Sequence, residues 1–362
     1  MSEIFVIGGG LIGMLTAREL AMAGRQVTLL EQNRVGRESS WAGGGIISPL
    51  YPWRYDSSIT ALTSWGQQHY PELATALHRE SNIDPEYTRN GLLIVEPEDS
   101  KQAIDWGKHA QQSLTNLEKA AISDCEPALT TTANQAILMP EVAQVRNPRL
   151  VKAACGTIEK QVEIRENCRV SKLLARDGRI QGIETDSGNL TAKQVIVCAG
   201  AWTGDLLKDF VTRPDIEPVL GQMILFRSQP GAISRIVLHQ DRYVIPRRDG
   251  RVLVGSTLEY RGFDKTTTQV AKKALKQYAL THFPLLREAK IEHHWAGLRP
   301  GSPSGIPYIG PVPDIEGLYL NAGHFRNGVV LGPASARLMS DLVLGREPIL
   351  PPAPYALDAS RG

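Results

Sequence analysis

This sequence predicts a two-domain α/β fold on three observations. The chain opens with an apolar run that meets a glycine turn and then an amphipathic segment. Four short apolar runs between 162 and 200 alternate with turn dipeptides at Asp177-Gly178 and Ser187-Gly188. A strand-rich block then fills 216–299. The first pattern predicts a Rossmann-like dinucleotide unit, the second a β-meander and the third an antiparallel sheet.

The opening segment is Ile4-Phe-Val-Ile-Gly8-Gly-Gly10-Leu-Ile-Gly13, followed by Val27-Thr-Leu-Leu-Glu31. It reads as strand, tight turn, helix, second strand and acidic tip. Gly8 allows the turn, Gly10 leaves room for a pyrophosphate, and Gly13 lets the helix pack closely on the strand. A diphosphate suits the helix N-terminus, where free N–H groups and the helix dipole favour an anion. Glu31 is placed to accept hydrogen bonds from ribose hydroxyls.

Next comes Arg37-Glu-Ser-Ser-Trp-Ala-Gly43-Gly-Gly-Ile-Ile-Ser48, whose glycines permit close backbone approach to a flat ligand and which offers a second helix start. Residues 57–80 carry helical apolar spacing. Residues 87–95 read as a strand pair turning at Asn90-Gly91, followed by helical segments near 99–120. Another strand begins at Ala136, and Asn147-Pro148 opens a helix to about 160. In the second block, strands are expected at 219–226, 235–238, 243–246, 252–255 and 291–298, with a helix at 268–283. The segment Gly317–Gly323 then feeds a glycine turn and a helix near 329–344, repeating the strand–turn–helix logic of the opening. The inferred organisation is a discontinuous cofactor domain (1–85, 145–215 and 300–362) interrupted by a substrate domain (86–144 and 216–299).

Bulk properties narrow the function. At 362 residues the chain is long enough for two domains. Its net charge of +2 is scattered, which argues against a nucleic-acid partner. Cys125, Cys155, Cys168 and Cys198 show no metal-ligand spacing and read as thiols of a reducing compartment. No histidine pattern suggests a metal, since His293 and His294 point to opposite faces of a strand. The apolar start lacks a basic leader and holds Glu3, Arg18 and Glu19, so it is not read as a signal peptide. No stretch reaches the ~20 apolar residues of a membrane span. A cytoplasmic enzyme without membrane partners is expected.

Seven segments together resemble the D-amino-acid oxidase-like FAD amine oxidases, and within them the glycine-oxidising members of thiamine biosynthesis. They are Val6–Gly13, Ser39–Gly45, Val197–Trp202, Tyr243–Arg247, Trp295-Ala-Gly-Leu-Arg-Pro300, Pro307-Tyr-Ile-Gly310 and Gly323-His-Phe-Arg-Asn-Gly328. The order and spacing of the last three are the specific part. The resemblance implies FAD contacts at Gly8, Gly10, Leu11, Ile12, Gly13, Glu31, Gln32, Ser39, Ser40, Gly44, Gly45 and Ile46. It adds Val170, Ala199, Gly200, Trp202, His324, Phe325, Arg326, Asn327, Gly328, Val329 and Val330. It assigns Arg299 to the substrate carboxylate, Tyr243 to the same carboxylate, and Arg326 as a second active-site arginine. No cysteine lies beyond 198 to match the flavin attachment of sarcosine oxidases, so FAD is expected to be non-covalent. A homotetramer is also implied.

The chemistry fits these residue types. Flavin performs the redox step, so the protein must bind, orient and polarise. The planar guanidinium of Arg299 suits a bidentate carboxylate pair. Tyr243 is either a neutral donor to that carboxylate or a core tyrosine with a satisfied hydroxyl. Arg326 lies before the last helix, as a ligand to substrate or flavin or as part of the helix terminus. A helix starting near Asn327-Gly328 would aim its positive end at the flavin N1–C2=O edge and favour the anionic reduced form. Met139, Glu141 and Leu258 are further candidates for the cavity wall, while Trp41 and Trp53 are expected in the core. The activity expected is oxidation of glycine, and of sarcosine or small D-amino acids, with O2 as acceptor. The alternatives are an oxidase or dehydrogenase of another amino acid, a non-catalytic flavoprotein, or an RNA-modifying partner.

Overall fold

Apolar residues buried on both faces make the central strands. Ile4–Ile7 and Val27–Leu30 are buried throughout and pair in parallel, joined by the helix Leu11–Met22. In the computed structural model, which describes residues 3–361, they form the middle of a six-stranded sheet. Its order is Tyr308–Pro311, Leu318–Ala322, Gln194–Val197, Ile4–Ile7, Val27–Leu30 and Glu163–Arg165. All neighbours are parallel except the edge strand Tyr308–Pro311, which sequence reasoning passed over.

The last helix, Gly328–Leu344, packs on Leu11–Met22 and on the long helix Ser57–Ser81. Met14, Leu20, Tyr70, Leu331 and Met339 fill this contact without exposure to solvent. The meander comprises Val170–Arg176, Arg179–Thr185 and Gly188–Thr191.

The second large sheet has eight strands in the order Ile291–Gly301, Glu217–Arg227, Arg251–Gly255, Arg242–Pro246, Ile236–His239, Leu92–Val95, Gln135–Met139 and Thr115–Glu118. It is antiparallel but for the pairing of Ile236–His239 with Leu92–Val95. Two expectations fail here. Residues 87–95 are not a hairpin: Thr88–Arg89 pairs with Ala143–Gln144, whereas Leu92–Val95 enters the eight-stranded sheet. Uniform burial of Leu92–Val95 demands partners on both sides, which a hairpin arm on its own would lack. Residues 99–120 are not helical throughout either. Ser100–His109 is a helix, but Thr115–Glu118 is the edge strand beside Gln135–Met139. Among the described residues, no helix is long and apolar enough to cross a membrane.

Candidate active site

A cavity of about 650 Å3 runs from the first glycine turn to the eight-stranded sheet. Gly8 begins it at φ +109°, where a Cβ would lie 2.3 Å from the Cys198 carbonyl oxygen. A Cβ on Gly13 would lie 1.9 Å from the Gly8 oxygen, so Gly13 brings helix and strand together and does not itself line the cavity. Gly10 caps the helix without a side-chain hydrogen bond, and the first turn carries no acidic residue. The Leu11 N–H donates to Ser40 Oγ at 2.8 Å. This helix end therefore faces the cavity with its positive pole and no acidic residue in its first turn.

Glu31 lies at the rim of the same turn, 8 % exposed. Its Oε2 accepts the Gly9 N–H at 2.8 Å and its Oε1 the Asn33 N–H at 2.9 Å. Burial raises its pKa, against the pull of those two donors. Each oxygen keeps a further lone pair for a hydroxyl donor. Gln32 and Val170 line the cavity here. So do Cys168, Arg169 and Ser171, which carry no motif in sequence.

In the middle, Leu11, Ile12, Ser39, Ser40, Gly44, Gly45 and Ile46 form one wall and Ala199, Gly200 and Trp202 contribute another. Ser39 Oγ donates to the Leu298 carbonyl, and Asn147 Nδ2 donates to the Ser40 carbonyl at 2.7 Å. Gly45 sits at φ +80°, with space for a Cβ closed by the Val145 oxygen at 2.1 Å. Trp202 stacks on Phe263, with ring centroids 5.5 Å apart.

Arg299, Tyr243 and Arg326 meet at the far end. Arg299 stands opposite Val219 near the end of Ile291–Gly301, and its guanidinium lies across Gly221, where a Cβ would be 2.3 Å away. It donates to Ser256 Oγ at 2.7 Å and to the Thr257 carbonyl at 3.3 Å. Burial lowers its pKa, the Tyr243 phenol acts the other way and Arg326 adds repulsion. No acidic side chain among the described residues pairs with it. Tyr243 is 6 % exposed, with its hydroxyl 3.9 Å from Met223 Sδ. Arg326 also has no acidic partner among the described residues, and it borders a side cavity of about 180 Å3 beside Tyr51 and Arg54.

His324, Phe325, Asn327, Gly328 and Val329 complete this end. His324 is 2 % exposed, its Nε2 lies 2.9 Å from Ser335 Oγ, and burial pushes its pKa down to about 3, so the ring is neutral. Val330 does not reach the cavity. The helix Gly328–Leu344 has begun there, and its turn directs Val330, 1 % exposed, into the core.

The other wall candidates lie elsewhere. Met139 is buried in the core, Glu141 pairs with Arg89 at 2.9 Å on the surface, and Leu258 is 44 % exposed. Trp53 is buried and Trp41 packs edge-on against Trp295, as expected of core residues. Ser48, which the sequence offers as a small residue beside the glycines, lines the cavity, and so do Met223 and Ser256, which sequence reasoning missed because sheet strands bring them in rather than a local motif.

The residues present fit a dinucleotide. The cavity joins an open helix N-terminus, a glycine wall without Cβ atoms and a second helix start at Asn327. Asn327 Nδ2 is buried and has no acceptor among the described residues, leaving a donor at the wall for a bound group.

Comparison with known proteins agrees with this geometry. Residues 3–342 match the family of FAD dependent oxidoreductases. The chain is 48 % identical to a glycine oxidase of Pseudomonas putida, over 99 % of both chains. It is 30 % identical to the bifunctional protein ThiO/ThiG of Trichormus variabilis, covering 94 % of this chain and 52 % of that protein. The crystal structure of glycine oxidase from Geobacillus kaustophilus superposes with a TM-score of 0.93 at 25 % identity, covering 100 % of this chain and 99 % of that one. With the glycine turn, the buried cavity arginine and full-length similarity in one chain, it belongs to the FAD dependent oxidoreductase family, on the branch that holds the glycine oxidases.

Proposed function

We propose that this chain is a glycine oxidase: glycine, water and O2 give glyoxylate, ammonia and hydrogen peroxide. The observation that carries this reading is Arg299, a buried cation inside the cavity with no carboxylate partner among the described residues. A charge so placed is stabilised by an anionic ligand. Its planar fork takes the substrate carboxylate, with the Tyr243 hydroxyl as a neutral second donor and Arg326 as the second cation. Sarcosine and small D-amino acids share that carboxylate and are accepted as further substrates.

Bound FAD, held without a covalent link, would supply the acceptor for the hydride of the substrate Cα–H. The contacts we assign to it are Gly8, Gly10, Leu11, Ile12 and Glu31 at the first turn, with Ser39, Ser40 and Gly44–Ile46 along the wall. Val170, Ala199, Gly200 and Trp202 join them, as do His324–Val329. Glu31 would offer acceptors to the ribose, and the two helix N-termini would present positive partial charge to the diphosphate and to the ring edge. Segments 1–85, 145–215 and 300–362 serve as the FAD domain and 86–144 and 216–299 as the substrate domain, which the membership of the two large sheets supports. The four free thiols support a reducing, cytoplasmic setting. A homotetramer and a supply of glycine imine for the thiazole of thiamine complete the proposal, both resting on the resemblance to thiamine-linked glycine oxidases.

The test is anaerobic mixing of the yellow holoprotein with glycine, sarcosine, D-alanine and D-proline while flavin absorbance is followed. Bleaching by glycine, reversed by air with peroxide formed, is expected. Faster bleaching by D-proline or D-alanine would replace glycine as substrate. Bleaching that air does not reverse would make the protein a dehydrogenase.

A further inference from the structure

The Arg247 guanidinium lies behind the glycine wall, outside the cavity. Its side chain is buried at 7 % exposure. One terminal nitrogen donates to Gln144 Oε1 at 2.6 Å and to the Val145 carbonyl at 2.9 Å, and the other donates to the Gly44 carbonyl at 2.7 Å. All three acceptors are neutral. The nearby carboxylates of Glu86 and Asp249 are engaged by Arg146, at 3.3 and 2.8 Å. A buried cation without a carboxylate is costly in a fold, so its neutral acceptors carry an unusual share of its field.

Its setting is fixed from both sides. Gln144 Nε2 donates to the Pro246 carbonyl at 2.9 Å and to Asn90 Oδ1 at 3.1 Å, which orients the amide oxygen toward Arg247. The Val145 N–H donates to the Gly45 carbonyl at 2.8 Å, and the Ile47 N–H to the Ala143 carbonyl at 2.8 Å. The peptide joining Gly44 to Gly45 thus has its carbonyl on a guanidinium. The N–H groups of Gly45 and Ile46 have no acceptor among the described residues, and both residues line the cavity.

We infer that Arg247 is a positioning residue that holds and polarises the Gly44–Gly45 peptide, strengthening the Gly45 N–H donor that this wall offers to the bound flavin. A carbonyl that accepts from a charged donor leaves its own amide N–H a stronger donor, because hydrogen bonds in series polarise one another. Donors fixed in advance at the edge of a group that gains negative charge on reduction favour that reduction. The inference rests on the FAD contacts assigned above to Gly44–Ile46. It does not depend on which amine is oxidised.

The test is Arg247→Met in the holoprotein, read first by the flavin midpoint potential against a redox dye. The potential is expected to fall, and the rate constant for flavin reduction at saturating glycine to drop roughly tenfold, below the full loss of an oxyanion donor. The KM for glycine should stay within about twofold, because Arg247 does not touch the substrate site. If the Met variant does not fold or retain FAD, Gln144→Glu serves instead. Its carboxylate would draw the guanidinium field away from Gly44 at nearly constant side-chain size, and it should lower the potential in the same direction. An unchanged potential in the variant that yields holoprotein overturns the inference, whatever its stability. Failure of glycine to bleach the wild type would overturn the substrate reading alone, since the potential is measured without an amine.

Discussion

Arg299 donates to Ser256 Oγ across 2.7 Å, so the cation at the end of the cavity is held by a hydroxyl and not by a carboxylate. A hydroxyl fixes the guanidinium without neutralising it, and the charge remains for a ligand. Replacing Arg299 with Ala removes a desolvated charge pair worth about 2–4 kcal/mol. The expected loss in kcat/KM for glycine is therefore roughly 30- to 900-fold. Arg299→Lys should recover only part of it, because an ammonium lacks the planar fork. Steady-state peroxide production decides this, and an unchanged Michaelis constant in Arg299→Ala would remove the assignment.

His324 makes a prediction about pH. Burial holds its pKa near 3, against 6.5 for the free side chain. The unfolded chain thus binds the proton first, and the contribution of His324 to stability is complete above pH 6.5 and declines as pH falls toward 3. By pH 5 the loss is about 2 kcal/mol. Chemical denaturation at pH 7.5 and pH 5 should show a smaller acid loss in His324→Gln than in the wild type. Equal losses would mean that His324 is not the buried neutral base described.

Gly45 tests the wall itself. A Cβ would meet the Val145 oxygen at 2.1 Å and Asn147 Oδ1 at 2.5 Å, on a backbone at φ +80°. Both neighbours are held by their own hydrogen bonds or packing, so relief requires backbone movement. Gly45→Ala is expected to cost roughly 2–5 kcal/mol and to weaken FAD retention. Thermal unfolding and the flavin-to-protein absorbance ratio after gel filtration measure the two effects.

The thiols give a chemical prediction. Burial raises the pKa of all four cysteines, to about 12 for Cys155 and Cys198, so thiolate is scarce at neutral pH. Cys168 and Cys198 lie on the cavity itself. Native holoprotein should resist iodoacetamide at pH 7.5 and keep its activity, because the thiolate is the nucleophile. Acid precipitation should leave all the yellow colour in the supernatant, as a non-covalent flavin requires. Colour in the pellet would show a covalent link.

What was legible in sequence follows from the range of the forces involved. The turn at Gly8–Gly13 is legible because its glycine spacing is local and Gly13 packs on the Gly8 carbonyl within the same strand–turn–helix, although Gly8 itself is closed by the Cys198 carbonyl of a neighbouring segment. The cavity positions of Arg299 and Tyr243 could be named from their motifs. Their supports could not, because Gly221 beneath Arg299 and Gly255 beneath Tyr243 are placed by strand register across the sheet. Thr115–Glu118 escaped notice for a related reason. Three of its four residues are exposed and it pairs along one edge only, so it carries no apolar period. The supposed hairpin at 87–95 failed because two short strands adjacent in sequence belong to different sheets, a choice made by the burial of Leu92–Val95 and not by the turn residues.

The strand Ile291–Gly301 carries Arg299 on its last residues, and the carbonyl of the next residue, Pro300, accepts the Phe325 N–H at 3.0 Å. The strand that carries Arg299 and the turn at Phe325, both on the cavity, are therefore joined by one main-chain hydrogen bond. Ser48, Leu50 and Met223 line the cavity from other segments. Side chains on these walls can therefore change without touching the bond that ties the Arg299 strand to the turn at Phe325.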